Sequence, residues 1–273
     1  ITSDEALSLS KVPKSMVIIG GGVIGAEFAA VYNALGCKVI IVEMLDNIVA
    51  NMDKDIVQPL KDKFIKNGVE IHTGTKVVSI SESNEGLSVN TVSYQGEASF
   101  IGEKVLLSIG RKPATDSMGL ENLNVKTERG AIVVNKNMRT DTDNIYAIGD
   151  CTGGVMLAHA ASAEGIVAAE SIIGKKPQID FRTIPYCVYT KPELAGVGLT
   201  EEQAKTKGYE IKTGMFPMYI NGKAIIEGET DGIVKYIADA QTGEILGFHM
   251  AGPLRTLLWK DHLPSDLKLL LMK

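Results

Sequence analysis

Met16-Val-Ile-Ile-Gly-Gly-Gly-Val-Ile-Gly-Ala-Glu27 decides how the rest of the chain is read. Val17, Ile18 and Ile19 form the short apolar run that a parallel strand buried on both faces requires. Gly20, Gly22 and Gly25 then spell G-x-G-x-x-G. The first glycine permits a tight turn, the second lets the backbone approach a pyrophosphate, and the third lets a helix pack close to the strand. The Ala-rich segment from Ala26 to Leu35 predicts that helix, with its N-terminal N–H groups and dipole facing the pyrophosphate. Gly36 ends it, and Cys37-Lys-Val-Ile-Ile-Val-Glu43 predicts a second strand closing on an acid. Its distance from the glycines is close to the spacing of about 20 residues at which a carboxylate meets a ribose 2′-OH. Strand, glycines, helix, strand and acid in this order mark a dinucleotide site more specifically than the glycines alone. A carboxylate at Glu43 accepts from a free 2′-OH and repels a 2′-phosphate, which favours NAD(H) over NADP(H).

Beyond Glu43 the pattern continues as α/β. Asp53 to Gly68 is an amphipathic helix with Ile56, Leu60, Phe64 and Ile65 at helical spacing and Asn67-Gly68 as its stop. Val69 to His72 is a third strand, with His72 as a strand-end histidine. Lys76 to Phe100 alternates loosely between turns at Asn84-Glu-Gly and Gln95-Gly96, an antiparallel meander. Lys104-Val-Leu-Leu-Ser-Ile-Gly110 returns as an apolar strand. Upstream, Ser3 is the expected cap of a short helix. From Ala114 the pattern changes. Ala131-Ile-Val-Val-Asn and Asn144-Ile-Tyr-Ala-Ile-Gly-Asp150 predict strands, and Met156 onward predicts a long Ala-rich helix ending at Gly174. Thr200 is the N-cap of another helix, and Gly232 to His249 reads as a hairpin turning at Gln241-Thr-Gly243.

Bulk composition narrows the classes. The 273 residues are 45% hydrophobic and 22% charged, with a net charge of −5; this is ordinary globular composition with room for two or three small domains. No Lys/Arg cluster points to nucleic acid. The apolar stretches are broken by Gly, Glu or Asn, so no membrane span is expected. No cleavable leader pattern opens the chain. Ile1 rather than Met stands first, so the true N-terminus is expected to be missing. Cys37, Cys151 and Cys187 are far apart with no C-x-x-C or metal-ligand spacing, as expected of free thiols in a cytoplasmic protein.

The order of motifs resembles the flavoprotein disulfide reductases, the class I pyridine nucleotide-disulfide oxidoreductases, and among them the dihydrolipoamide dehydrogenase branch most closely. The resemblance runs from about Thr2 to Pro253. It rests on Gly20–Glu27, Ser108-Ile-Gly-Arg-Lys-Pro113, Asn144–Asp150, and Met156-Leu-Ala-His159 with Glu164-Gly165. It implies a Rossmann-type NAD-binding domain with an antiparallel insert (1–113), part of an FAD-binding domain (114–182) and part of an α+β dimer-interface domain (183–253). It also implies roles. Gly20, Gly21, Gly22, Val23, Ile24, Gly25 and Ala26 hold the dinucleotide, and Glu27 approaches the nicotinamide. Glu43 takes the adenosine ribose, Val77 the adenine, and Gly110 the nicotinamide half. Asp150 binds the ribityl chain of FAD, in keeping with an acid that follows a buried strand and Gly. Met156, Leu157, Ala158 and His159 lie beside the flavin pyrimidine, where a helix N-terminus stabilises negative charge. The implied activity passes electrons from dihydrolipoamide through a redox disulfide and FAD to NAD+. The implied partners are a second copy of the chain and the lipoyl carrier protein of a 2-oxoacid dehydrogenase or glycine cleavage complex.

Two departures qualify this. No second G-x-G-x-x-G and no closely spaced cysteine pair is present, and His262 in Asp-His-Leu-Pro-Ser-Asp fits the branch's C-terminal His-Pro…Glu too poorly to be assigned. The chain as it stands is therefore expected to be catalytically incomplete. The alternatives are a non-catalytic NAD(H)-binding remnant, another NAD-dependent disulfide reductase or NADH oxidase, or a structural dimer module. Likeness also stops after Pro253. A one-base shift from Thr256 onward permits a string resembling the branch's interface helix, so residues 254–273 are read as a frameshifted tail.

Overall fold

The computed structural model describes residues 1–252, so the expectations about the tail and His262 lie outside the described residues. Two compact units divide the described residues: Ile1–Gly110 with 187–252, and Arg111–Tyr186.

The first unit opens with α1 (Ser3–Leu7) and β1 (Ser15–Ile19), followed by α2 (Val23–Ala34), β2 (Lys38–Val42), α3 (Lys54–Lys66) and β3 (Glu70–His72). An antiparallel meander of β4 (Lys76–Ser83), β5 (Gly86–Ser93) and β6 (Gly96–Gly102) leads into β7 (Lys104–Leu107). The parallel sheet has the order β3-β2-β1-β7, which puts the central β1 between two neighbours. Met16, Val17 and Ile18 are fully buried there, each worth roughly 1.5–3 kcal/mol of burial. The meander lays one face on this sheet: Val89, with Val77, Leu87 and Phe100, packs against Val17, Ile19, Ile40, Val42 and Val105.

The chain from residue 187 adds a five-stranded sheet. Its strands are β10 (Tyr186–Val188), β11 (Glu193–Gly198), β12 (Ile211–Pro217), β13 (Ile233–Asp239) and β14 (Ile245–Gly252), in the order β10-β11-β14-β13-β12. Its helices α5 (Glu201–Thr206) and α6 (Gly222–Glu227) are short. Thr200 caps α5 as expected, in a reciprocal box with Gln203. The β13–β14 hairpin forms where predicted.

The second unit holds the two-residue strands β8 (Thr127–Glu128) and β9 (Ala131–Ile132) and the long helix α4 (Ala158–Ile172).

Four local expectations are corrected. Thr2, not Ser3, caps α1, because its hydroxyl and N–H both meet the Glu5 carboxylate. Ile65 is 56% exposed; the buried stripe is Ile56, Val57, Leu60 and Phe64, and Ile65 is rotated out of it at about 100° per residue. Residues 144–150 form no strand, since their backbone folds back onto residues 138–140 through a single bridge, Arg139 to Tyr146. The strand predicted at Ala131–Asn135 pairs only at Ala131–Ile132. No helix among the described residues is long and apolar enough to cross a membrane.

Candidate functional site

β1 delivers the chain into Gly20, whose φ is +101° and whose added Cβ would stand 2.4 Å from the Ser108 carbonyl oxygen. Conformation and space both demand glycine. Just past β7, Ser108 turns its hydroxyl onto the carbonyls of Ile19 (3.0 Å) and Gly20 (2.8 Å), fastening the turn to the neighbouring strand. At Gly25 a Cβ would lie 1.9 Å from the Gly20 carbonyl oxygen, so α2 rests directly on the turn. Gly22 is different. A Cβ there meets nothing within 4 Å, and its φ of −67° and ψ of −169° suit any residue. The fold itself does not need glycine at this position. Gly22 is also the N-cap of α2 and offers no side-chain cap, so the first-turn N–H groups and the positive dipole end are left for an anion.

Glu43 sits at the end of β2, only 9% exposed. One carboxylate oxygen accepts the Gly21 N–H at 2.6 Å and the other accepts the Leu45 N–H at 2.7 Å. Each oxygen keeps a second lone pair for a further donor. Glu43 thus shapes the turn as well as facing it. Val77 is the second residue of β4, two residues beyond Thr75, whose N–H binds the Glu43 carbonyl at 2.9 Å, and it packs into the core. Gly110 is exposed with φ of +114° two residues beyond Ser108. Glu27, on α2, accepts the Tyr189 N–H at 2.9 Å. Of these residues, Glu43 bonds to the turn itself, Gly110 follows the Ser108 that fastens it, and Glu27 lies on the helix that it starts.

A segment that no motif flagged joins them. Residues 44–53 run from β2 to α3. The Val49 N–H donates to the Gly21 carbonyl at 2.7 Å. Val49 is fully buried with φ of +45°, a strained conformation for a β-branched residue that costs about 1–3 kcal/mol. Asp53 caps α3 and is 2% exposed. It meets Lys235 of β13, also 2% exposed, at 3.0 Å. The Lys235 ammonium also binds Asp55 and Glu201, both at 2.6 Å. Burial works against its charge, but the bonds to Asp55, Glu201 and Asp53 together outweigh it and hold it above the usual lysine range. Lys205 and Lys235 pull the Glu201 carboxyl down to about 2.

In the second unit, the turn Gly149–Thr152 carries Asp150, which is exposed. Gly149 has φ of +72° and its N–H is held by the buried Glu164 carboxylate of α4 at 2.6 Å. Met156 and Leu157 precede α4, which starts at Ala158 with no side-chain cap. His159 donates from Nε2 to the Pro185 carbonyl at 2.7 Å, so that nitrogen carries the proton.

The family model described as pyridine nucleotide-disulphide oxidoreductase matches residues 1–165, and that family's dimerisation-domain model matches residues 184–258. The chain belongs to the pyridine nucleotide-disulphide oxidoreductase family. Among oxidoreductases of this family it is 42% identical to a dihydrolipoyl dehydrogenase of Bacillus subtilis, over 93% of this chain and 54% of that protein. It is 39% identical to a leghemoglobin reductase of Glycine max, over 93% of this chain and 49% of that one. The chain spans about half the length of the curated relatives it matches. Among solved structures it resembles LpdA of Mycobacterium tuberculosis (TM-score 0.87, 27% identity, 100% of this chain and 58% of that one). It also resembles the HOCl-induced flavoprotein disulfide reductase RclA of Escherichia coli (TM-score 0.84, 30% identity, 99% of this chain and 61% of that one). The dihydrolipoyl dehydrogenases of this family use FAD and NAD(H).

Sequence reading of this pyridine nucleotide-disulphide oxidoreductase chain missed three supports. Ser108 and Glu164 stood in recognised motifs without a structural task. Lys235 carried a signal of its own: in Ile233-Val-Lys-Tyr-Ile237 it shares a strand face with Ile237, which is fully buried. A lysine on a core face needs partners.

Proposed function

We propose that the β1–α2 turn binds NAD(H), and that the chain is the nucleotide-binding part of a dihydrolipoamide dehydrogenase. The observation that carries this reading is the open space at Gly22 beside an uncapped helix start, with every neighbouring glycine filled in by the fold. Glu27, Val77 and Gly110 take their places along the dinucleotide, and Glu43 receives the ribose 2′-OH. Asp150 and the uncapped α4 start at Met156–His159 offer sugar acceptors and an anion-stabilising helix end to FAD. When bound, FAD supplies two-electron transfer between a dithiol and NAD+, while the protein binds and orients. The same proposal includes the divisions at 113, 182 and 253, pairing of two copies, a lipoyl carrier protein as electron source and a cytoplasmic location.

A second reading, NAD(H) binding without turnover by this chain, is favoured by its thiols. Cys37 is buried and free, and burial, with Glu103 adding to it, pushes its thiol up to about 11. Cys187 is likewise raised by burial and by Glu193. Such thiols are poor nucleophiles. The FAD-supplemented chain is expected to show no lipoamide-dependent NAD+ reduction, and turnover above background would overturn that. Fluorescence titration tests the site itself. NADH is expected to bind at least about 10-fold tighter than NADPH, a difference of about 1.4 kcal/mol. Equal affinities would remove the role given to Glu43, and no NADH binding would remove the site.

A further inference from the structure

We propose that Lys235, far along the chain in β13, is a positioning residue for the dinucleotide turn, acting through the strap 44–53. The proposal rests on the reading of the β1–α2 turn as the NAD(H) site.

Gly21 is clasped on three sides by the strap and its root. Its N–H binds the Glu43 carboxylate at 2.6 Å, and its carbonyl accepts the Val49 N–H at 2.7 Å. Its Cα is covered closely enough that a Cβ would stand 2.8 Å from Ile48 Cγ2. The strap thus sets where Gly20–Gly22 lies. Val49 holds a left-handed backbone that a valine leaves when it is free to do so, so the strap must be tied at both ends. Glu43 ties one end. Asp53 ties the other: one oxygen meets the Lys235 ammonium at 3.0 Å, and the other accepts the Glu201 N–H at 3.0 Å. The strap and α5 also line an open cleft of about 750 Å³. Lys235 gathers Asp53, Asp55 and Glu201 onto one ammonium and so fixes the start of α3 against β13 and α5. Loss of the ammonium frees the Asp53 end and lets Val49 relax away from Gly21.

The test compares the full chain with Lys235→Met and with Lys235→Met/Asp53→Asn. The double variant leaves no unpaired buried charge and keeps a capping side chain, so it decides the matter if the single variant fails to fold. Amide hydrogen exchange is expected to rise by about 10-fold or more at Gly21 and Val49, with β4–β6 and β14 unchanged. The NADH dissociation constant is expected to rise about 5- to 20-fold, within the range seen for coupled sites. Wild-type exchange at Gly21 and Val49 in a folded variant would overturn the proposal. So would a uniform rise across the whole unit, which marks general support only, or a local rise with unchanged NADH affinity. If wild type itself binds no NADH, the site reading fails and the positioning role falls with it, whereas the exchange result still reports whether Lys235 holds the strap.

Discussion

Gly22→Ala is expected to weaken NADH binding by about 10- to 100-fold while leaving the fold intact. The added methyl meets no protein atom within 4 Å, and the backbone angles at Gly22 are those an alanine adopts freely. The protein's own cost is limited to a poorer N-cap for α2, about 1 kcal/mol or less. The methyl instead occupies the approach to the first-turn N–H groups, where a pyrophosphate would lie. Forcing a methyl into a close contact costs typically 1–3 kcal/mol, about 5- to 150-fold in affinity, which brackets the stated range. Isothermal titration with NADH, paired with thermal melting, checks both halves. Unchanged affinity at an unchanged melting temperature would mean that the ligand does not approach this turn.

Gly25→Ala, three residues further on in the same motif, is expected to do the opposite: destabilise the unit rather than spare it. Its Cβ would stand 1.9 Å from the Gly20 carbonyl oxygen and 2.8 Å from the Ser108 hydroxyl. The nearer atom is backbone, and the turn that carries it is pinned by Ser108 and by Gly21's bonds to Glu43 and Val49. Nothing can rotate aside, so α2 must lift from β1. Alanine gains about 1 kcal/mol in helix propensity over glycine. Overpacking against fixed backbone costs about 3 kcal/mol or more, so a net loss of about 2–4 kcal/mol follows. At about 2–4 °C per kcal/mol for a domain of this size, the melting temperature is expected to fall by roughly 5–15 °C. A melting temperature within a degree of wild type would show that the helix does not sit on the turn as described.

The two glycines show what a motif conveys and what it leaves out. G-x-G-x-x-G places both in one turn, and the chain alone predicts strand, helix, strand and terminal acid correctly, because each depends on local periodicity and on residues a few positions apart. The same holds for the meander, the Thr200 cap and the β13–β14 hairpin. The readings that failed were those that needed a distant partner. Asn144–Asp150 has the composition of a strand, yet a strand exists only where a neighbour offers a ladder, and its backbone turns back on residues 138–140 instead. Ile65 is apolar, but the helix turns it away from the stripe that meets the core.

By itself the sequence determined the β1–α2–β2 unit, its glycines and the acid that closes it. Their physics is short-range: allowed dihedrals, side-chain period and capping. Only the tertiary structure decided how that turn is held. Glu43 proved to bind two backbone N–H groups, Glu164 to support Gly149, and Val49 to carry strain against Gly21. Lys235 found its three carboxylates on α3 and α5. Buried charges and strained backbone are stable only when surfaces remote in the chain meet to complete them, and no local pattern encodes which surfaces those are.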